Sequence, residues 1–276
     1  MLDRSADAVH HRSVFTVIGE PDALIAALLR LYATAIESVD LGRHEGVHPR
    51  VGAVDVTPFV PLTPDDMDRC VDAARRLGRE VARRFDLPVF FYEAAASAPH
   101  RHRLEAIRRG GLRGLTARLA EPDWQPDCGP ATAHPSAGVT VIGARPPLVA
   151  FNVHLATGDL DVARRIARTI RTSGGGLPAV KAMGVATADP ATMQVSMNLV
   201  DYRRTSVRAA YDAVAKEAAR LGVSVRDSQI IGLAPAAALL DAATNHLRLR
   251  DFNSDRLLEP RVLSARPAGP PPAGAT

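Results

Sequence analysis

Arg43-His44-Glu45-Gly46-Val47-His48-Pro49-Arg50-Val51-Gly52-Ala53-Val54-Asp55 crowds two histidines, two acids and two arginines around Gly46, Pro49 and Gly52. The fold turns on whether this stretch is helix or loop. Its first letters, H-E-x-x-H, would place two zinc-binding histidines on one face of a helix, but only if His44 through His48 are helical throughout. Gly46 weakens such a helix by about 1 kcal/mol relative to alanine. Pro49 pushes the residue before it, His48 itself, toward extended backbone. The apolar-periodic run Asp22 to Val39 stops at Asp40-Leu41-Gly42, and Gly52 falls one residue late for the longer form of the zinc motif. The stretch therefore reads as a rigid loop carrying titratable side chains, which is how binding and catalytic groups are commonly displayed.

Working outward, the periodicities alternate between strand and helix. Ser13–Ile18 reads as a strand, Pro21 to about Val39 as a helix, and Val51–Thr57 as a strand. Thr63-Pro64-Asp65-Asp66 is a helix start, with a hydroxyl cap, proline at the first position and acids in the first turn. That helix runs to about Phe85, and Pro88–Tyr92 follows as a short apolar strand. Leu104–Arg109 and Leu112–Leu119 read as helices on either side of Gly110-Gly111, and another strand begins near Val139. The second half is cleaner: strand Leu148–His154, helix Asp159–Arg171, strands Val180–Ala186 and Met193–Asp201, helix Ser206–Leu221 and strand Ser224–Ile231. That β-α-β-β-α-β order is the ferredoxin-like split unit. A last helix spans Pro235 to about Leu247. Ser173-Gly174-Gly175-Gly176 lacks the lysine of a phosphate-binding loop and reads as a hinge.

The loop with its continuation, Gly42 to Pro61, resembles the active-site segment of glutamate formiminotransferases, R-H-x-G-x-H-P-R-x-G-A-x-D-x-x-P-F-x-P, at every fixed position. Further blocks follow in family order. They are Arg12-Ser13-Val14-Phe15-Thr16, Asp123-Trp124 with Asp127-Cys128-Gly129-Pro130, and His134-Pro135 with Gly138. Gly143-Ala144-Arg145, Ala150-Phe151-Asn152-Val153, Gln194–Leu199 and Ser228–Leu233 complete the set. The resemblance implies an α/β (α+β) chain of two ferredoxin-like βαββαβ-type subdomains with a substrate cleft between them. It divides the chain into residues 1–145 and 146–260, with 261–276 as a disordered Pro/Ala/Gly tail. Family members begin with a further strand and helix before the Arg12 block. Only eleven residues precede Arg12, so the first subdomain is expected to lack them.

The same resemblance implies a reaction: transfer of the formimino group from N-formimino-L-glutamate to N5 of tetrahydrofolate, a co-substrate, with no metal. His48 takes the family's catalytic position, and an imidazole with a pKa of about 6.5 can remove one proton and deliver another near neutral pH. Arg43, Arg50 and Arg12 are candidates for bidentate contact with substrate carboxylates; a salt bridge to Asp55 or Glu45 is the structural alternative for the first two. His44 is expected either to orient substrate or to hold the loop. His11 stands where the family usually has asparagine. Gly129, Pro130, Ala131, Thr132, Ala133, His134, Pro135, Ser136, Ala137 and Gly138 match the folate-binding stretch, where glycine and proline let a flat pterin approach the backbone. Tyr92-Glu93-Ala94-Ala95 lacks the glycine slot of the family's Y-G-E-A-A. Trp124 reads as core.

Composition sets the outer bounds. The chain has 276 residues, 46% hydrophobic and 23% charged, with a formal net charge of +4. Lysine occurs only at positions 181 and 216, so the positive charge is arginine, whose planar fork suits carboxylates and phosphates. Aromatics are only 4% and are not interleaved with basic residues, which leaves no stacking platform for nucleic acid. No apolar run approaches the ~18 residues of a membrane span, so a cytoplasmic chain without membrane contact is expected, and the resemblance implies a homodimer. Two further functions fit the same letters: formyl transfer or 5-formyl-tetrahydrofolate handling, and folate binding without turnover.

Overall fold

The computed structural model describes residues 1–7, 11–44, 50–247 and 249, and the chain divides into two units, Met1–Pro147 and Leu148–Thr276. His48 and the 261–276 tail lie outside the described residues.

In the first unit, β1 (Asp3–Asp7) pairs antiparallel with β2 (Arg12–Thr16), in register from Asp3 opposite Thr16 to Asp7 opposite Arg12. β1 has no sequence signature, because Asp-Arg-Ser-Ala-Asp shows no apolar alternation; its partner strand defines it. Helix α1 (Pro21–Ser38) starts with proline in its first turn. Strand β3 (Val56–Phe59) is followed by a 3-10 turn at Pro64–Asp66, helix α2 (Met67–Phe85) and strand β4 (Val89–Glu93). Short helices α3 (Leu104–Ile107) and α4 (Gly111–Arg118) lead to β5 (Thr140–Ala144). Thr63 marks the turn before α2, but not as a hydroxyl cap: its Oγ1 donates to Asp66 Oδ2 at 2.9 Å, its carbonyl accepts Asp66 N at 3.1 Å, and α2 itself starts after Asp66 without a side-chain cap.

The main sheet of this unit runs β3-β5-β4 and is entirely parallel. The α+β class stands, and the pairings described within this unit are parallel rather than those of the split unit. A helical crossover, α2, joins β3 to β4 and forces them parallel. β5 arrives after a long connection and inserts between them. β4 is buried on both faces, which is why Val89-Phe90-Phe91-Tyr92 is an unbroken apolar run. Val89 and Phe91 pack with Ile25 and Leu29 of α1 and Leu77 and Val81 of α2. Phe90 and Tyr92 pack with Ile107, Leu115 and Val141 on the other side. Trp124 joins this second cluster, with the Arg118 guanidinium 3.9 Å from its ring centroid, as expected of a core residue.

Tyr32 locks α1 to the sheet. Its ring is fully buried, and its hydroxyl lies 2.9 Å from Thr57 Oγ1 and 2.8 Å from Thr140 Oγ1, one threonine on each of two strands. Burial pushes the phenol up to about 12, against the opposing pull of those hydrogen bonds.

β4 ends in a left-handed residue, Glu93, at φ 52. Glutamate is a poor occupant of that region, which costs a side-chain-bearing residue ~1–2 kcal/mol. Glycine adopts it freely but gives back about 0.5–1 kcal/mol of unfolded-chain entropy. The His102–Glu93 pair at 3.7 Å, with the histidine 58% exposed, adds little. Glu93→Gly is therefore expected to stabilise the chain by about 0.5–1 kcal/mol, read as a higher urea midpoint at unchanged slope.

The second unit holds β6 (Val149–Leu155), α5 (Leu160–Ile170), β7 (Val180–Ala186), β8 (Met193–Leu199), α6 (Val207–Arg220), β9 (Val225–Ile231) and α7 (Ala236–Leu247). Its sheet order, β7-β8-β6-β9 with every pair antiparallel, is that of the split unit. Val149, Phe151, Val153 and Leu155 of β6 and Met193, Val195, Met197 and Leu199 of β8 share one core with Ala163, Ile166 and Ile170 of α5 and Ala210 and Val214 of α6. Intervening positions point the other way, as period-2 alternation requires. There His154 stands between Asp227, 2.5 Å from Nδ1, and Gln194, 3.1 Å from Nε2. Ser173–Gly176 lies in and after a 3-10 turn at Thr172–Gly174, with Gly175 at φ 80.

Candidate functional site

The stretch expected to be a strand from Val51 enters β3 only at Val56, and Asp55 is the reason. Its Oδ1 accepts the amides of Val51 at 2.7 Å and Gly52 at 3.3 Å, which curls residues 51–55 into a turn. Its Oδ2 pairs with Arg108, and both side chains are largely shielded from water, 19% and 15% exposed. A charge-assisted pair at that depth is a strong local anchor. Arg43 and Arg50 are thus not the partners of Asp55. Arg108 takes that place, and nothing in the spacing of the sequence points to it.

The 51–55 turn is stitched to the 129–138 segment. Gly52 and Gly138 form an antiparallel bridge; Ala53 N donates to Ala137 O at 2.9 Å, and Val139 N to Val51 O at 2.8 Å. On the other side of the loop, Leu41 N donates to Ser136 O at 2.8 Å. The glycines permit this approach. A Cβ on Gly52 would overlap the Val139 carbonyl, and one on Gly138, which sits at φ 71, would overlap the Val51 carbonyl. These contacts lie at the amino ends of β3 and β5.

Within the segment, His134 and Gly138 exchange both backbone hydrogen bonds at 2.9 Å. His134 Nδ1 accepts Ala137 N at 3.1 Å and faces Ser136 N at 3.4 Å, so the neutral ring carries its proton on Nε2. Pro135 and Ser136 form the tip of this turn, and Ala137 is buried beneath it. Gly129 adopts φ 90 against the Leu87 carbonyl. Ala131 and Thr132 are exposed and Pro130 and Ala133 half-buried. The amides of residues 131–133 make no hydrogen bond among the described residues, which leaves three donors available to a ligand.

Arg43 closes the 3-10 turn Leu41–Arg43, which Asp40 caps by accepting Gly42 N at 2.9 Å. His44 follows in extended backbone, φ −100 and ψ 123. A zinc-binding helix does not begin there. Its ring stacks on His11, centroids 4.3 Å apart and planes 21° apart. Arg50 Nη1 donates to the His11 carbonyl at 3.4 Å, and the exposed Arg12 comes next in the chain. Arg12, His44 and Arg50 are therefore gathered around His11, a grouping the sequence leaves invisible because 33 positions separate His11 from His44. Burial, then the neighbouring His11 and Arg50, hold the His44 imidazole below its ordinary value, with Asp40 opposing. Among the described residues no group of three or more His, Cys, Asp or Glu is placed to hold a metal ion, and no helix is long and apolar enough to cross a membrane.

Residues 1–145 match the formiminotransferase domain, N-terminal subdomain, and residues 150–256 match the formiminotransferase domain. The chain belongs to the formiminotransferase family. It is 43% identical to the glutamate formimidoyltransferase of Streptococcus pyogenes serotype M1 over 95% of this chain and 88% of that protein. It is 40% identical to the glutamate formimidoyltransferase of Thermoplasma acidophilum, over 96% and 88% of the two chains. The formimidoyltransferase-cyclodeaminase of Rattus norvegicus is 39% identical over 88% of this chain, which spans 46% of that longer protein. The two stretches matched to the formiminotransferase family correspond to the two units described above, and the stitched loop lies in the first.

Proposed function

We propose that this formiminotransferase moves the formimino group of N-formimino-L-glutamate to N5 of tetrahydrofolate and releases glutamate. The observation that carries the reading is the stitch between residues 51–53 and 137–139. His48 is three residues along the chain from Val51 and seven from Leu41, and both of those residues are bonded to the 136–139 backbone. A loop bearing an imidazole is thereby tied at both ends to a segment presenting free amides.

The chemistry then follows. N5 attacks the formimino carbon, the carbon becomes tetrahedral, and its bond to the glutamate nitrogen breaks. His48 accepts the proton lost by N5 and returns one to the departing amine, so one imidazole serves both halves. Arg12, Arg43 and Arg50 supply forks for the two carboxylates of the donor, and His44 orients it. The amides of residues 131–133, beside Gly129 and Gly138, serve the polar edge of the pterin. The family resemblance extends the proposal to a cytoplasmic homodimer, whose assembly sedimentation of the full chain measures.

The test is a choice of donors. Full chain is mixed with tetrahydrofolate and either N-formimino-L-glutamate or N-formyl-L-glutamate, and free glutamate is followed. Catalytic release from the formimino donor, dependent on tetrahydrofolate, is the expected result. Release from the formyl donor alone would move the assignment to formyl transfer. Folate binding without release from either would leave a binding protein.

A further inference from the structure

His11 and His44 are stacked ring on ring, and Arg50 lies against the same backbone. His11 sits in the left-handed region, at φ 49. A residue in that strained conformation costs free energy that its surroundings must offset, and such residues cluster at functional sites. With the rings 4.3 Å apart, positive charge on His11 raises the cost of charging His44. Among the described residues, the groups facing His44 are His11, Arg50 and Asp40, two that repel a proton and one that attracts it. Arg43 and Arg12 adjoin the two histidines in the chain.

We propose that the stacked His11–His44 pair is a proton-coupled positioning element, which takes up one proton from solvent when a substrate carboxylate docks beside His44 and Arg50. This rests on the formimino-transfer reading, because the donor it positions is that reaction's amino-acid substrate. A docked carboxylate supplies the negative charge that Asp40 alone does not, and so favours the imidazolium. The linkage has a definite sign. The loaded pair binds its proton more tightly than the empty pair, so carboxylate affinity rises as pH falls from the loaded value toward the empty one, by up to about tenfold per pH unit. Below the empty value the proton is already present and affinity levels off. Above the loaded value no proton is taken up, and affinity levels off at its weaker limit. His11 acts through His44 and is a positioning residue.

The experiment uses the full chain with L-glutamate as the probe. Calorimetry at pH 7 in two buffers of different ionisation enthalpy gives the protons exchanged on binding. NMR gives the titration midpoint of His44 in the wild type and in His11→Phe, which keeps a stacking ring without its charge. A turnover assay with N-formimino-L-glutamate runs alongside. The expected results are uptake of between zero and one proton per glutamate and a His44 midpoint that moves to higher pH in His11→Phe. Arg50→Gln moves the midpoint in the same direction and guards against a misfolded His11→Phe. Normal turnover with proton-neutral glutamate binding, a midpoint unmoved in both variants, or no glutamate binding at all overturns the proposal. Proton uptake on glutamate binding without turnover overturns the formimino-transfer reading instead.

Discussion

Replacing His48 by alanine is expected to lower kcat by about 10²–10⁴-fold, the usual contribution of a single general acid–base group. The proposed reading assigns the donor's carboxylates to arginines rather than to His48, so KM should change by much less. A histidine that merely props the loop would give a different pattern, in which KM and stability deteriorate together. Two readouts separate the cases. The acid limb of the wild-type kcat profile, where protonation removes the base, should vanish in His48→Ala. Added imidazole should recover part of the lost rate. His44→Ala is expected to act chiefly on KM, because its ring stacks on His11 beside Arg50, the group proposed to position the carboxylate.

Gly52→Ala is expected to have the largest effect on stability, about 2–4 kcal/mol. The added methyl would overlap a backbone carbonyl, that of Val139, and no rotamer change can relieve such a clash. Gly138→Ala meets the Val51 carbonyl and must also hold alanine at φ 71, a region that favours glycine. Both substitutions break the same bridge. The double variant should therefore lose less than the sum of the two singles, since a bridge already open cannot be opened again. Urea denaturation of the three variants measures this non-additivity. Activity should fall with the first glycine lost, because the loop carrying His48 is no longer tied to the 129–138 segment.

Much of the architecture is written plainly in local pattern. Helix α1 follows from proline at its start and regular apolar spacing, and α2 from the Thr63–Asp66 signal. The second unit is legible almost to the residue. Its central strand β8 alternates cleanly over a single core, and Val180–Ala186 has the same limits in sequence and structure. Legibility fails where partners are distant. β1 carries no large apolar residue and exists because β2 lies beside it. The parallel order β3-β5-β4 depends on where a strand inserts after a connection of more than forty residues, which periodicity cannot report. At the site, the glycines and prolines announce a tight loop, yet the carboxylate that shapes it, Asp55, finds its cation at Arg108, 53 positions away. The stacking of His11 on His44 is equally silent in sequence. The resemblance drew attention to the two segments around Gly52 and Gly138, while the contacts that join them required three dimensions.

Transfer of a ¹³C label gives the most direct test. N-formimino-L-glutamate labelled at the formimino carbon is mixed with tetrahydrofolate and the full chain, and the label is followed by NMR. The proposed reaction predicts that the label appears on N5 of the folate in step with free glutamate, one for one, and that His48→Ala abolishes nearly all of the transfer. Label released to solvent while the folate stays unlabelled, or equal transfer rates in wild type and His48→Ala, would contradict it.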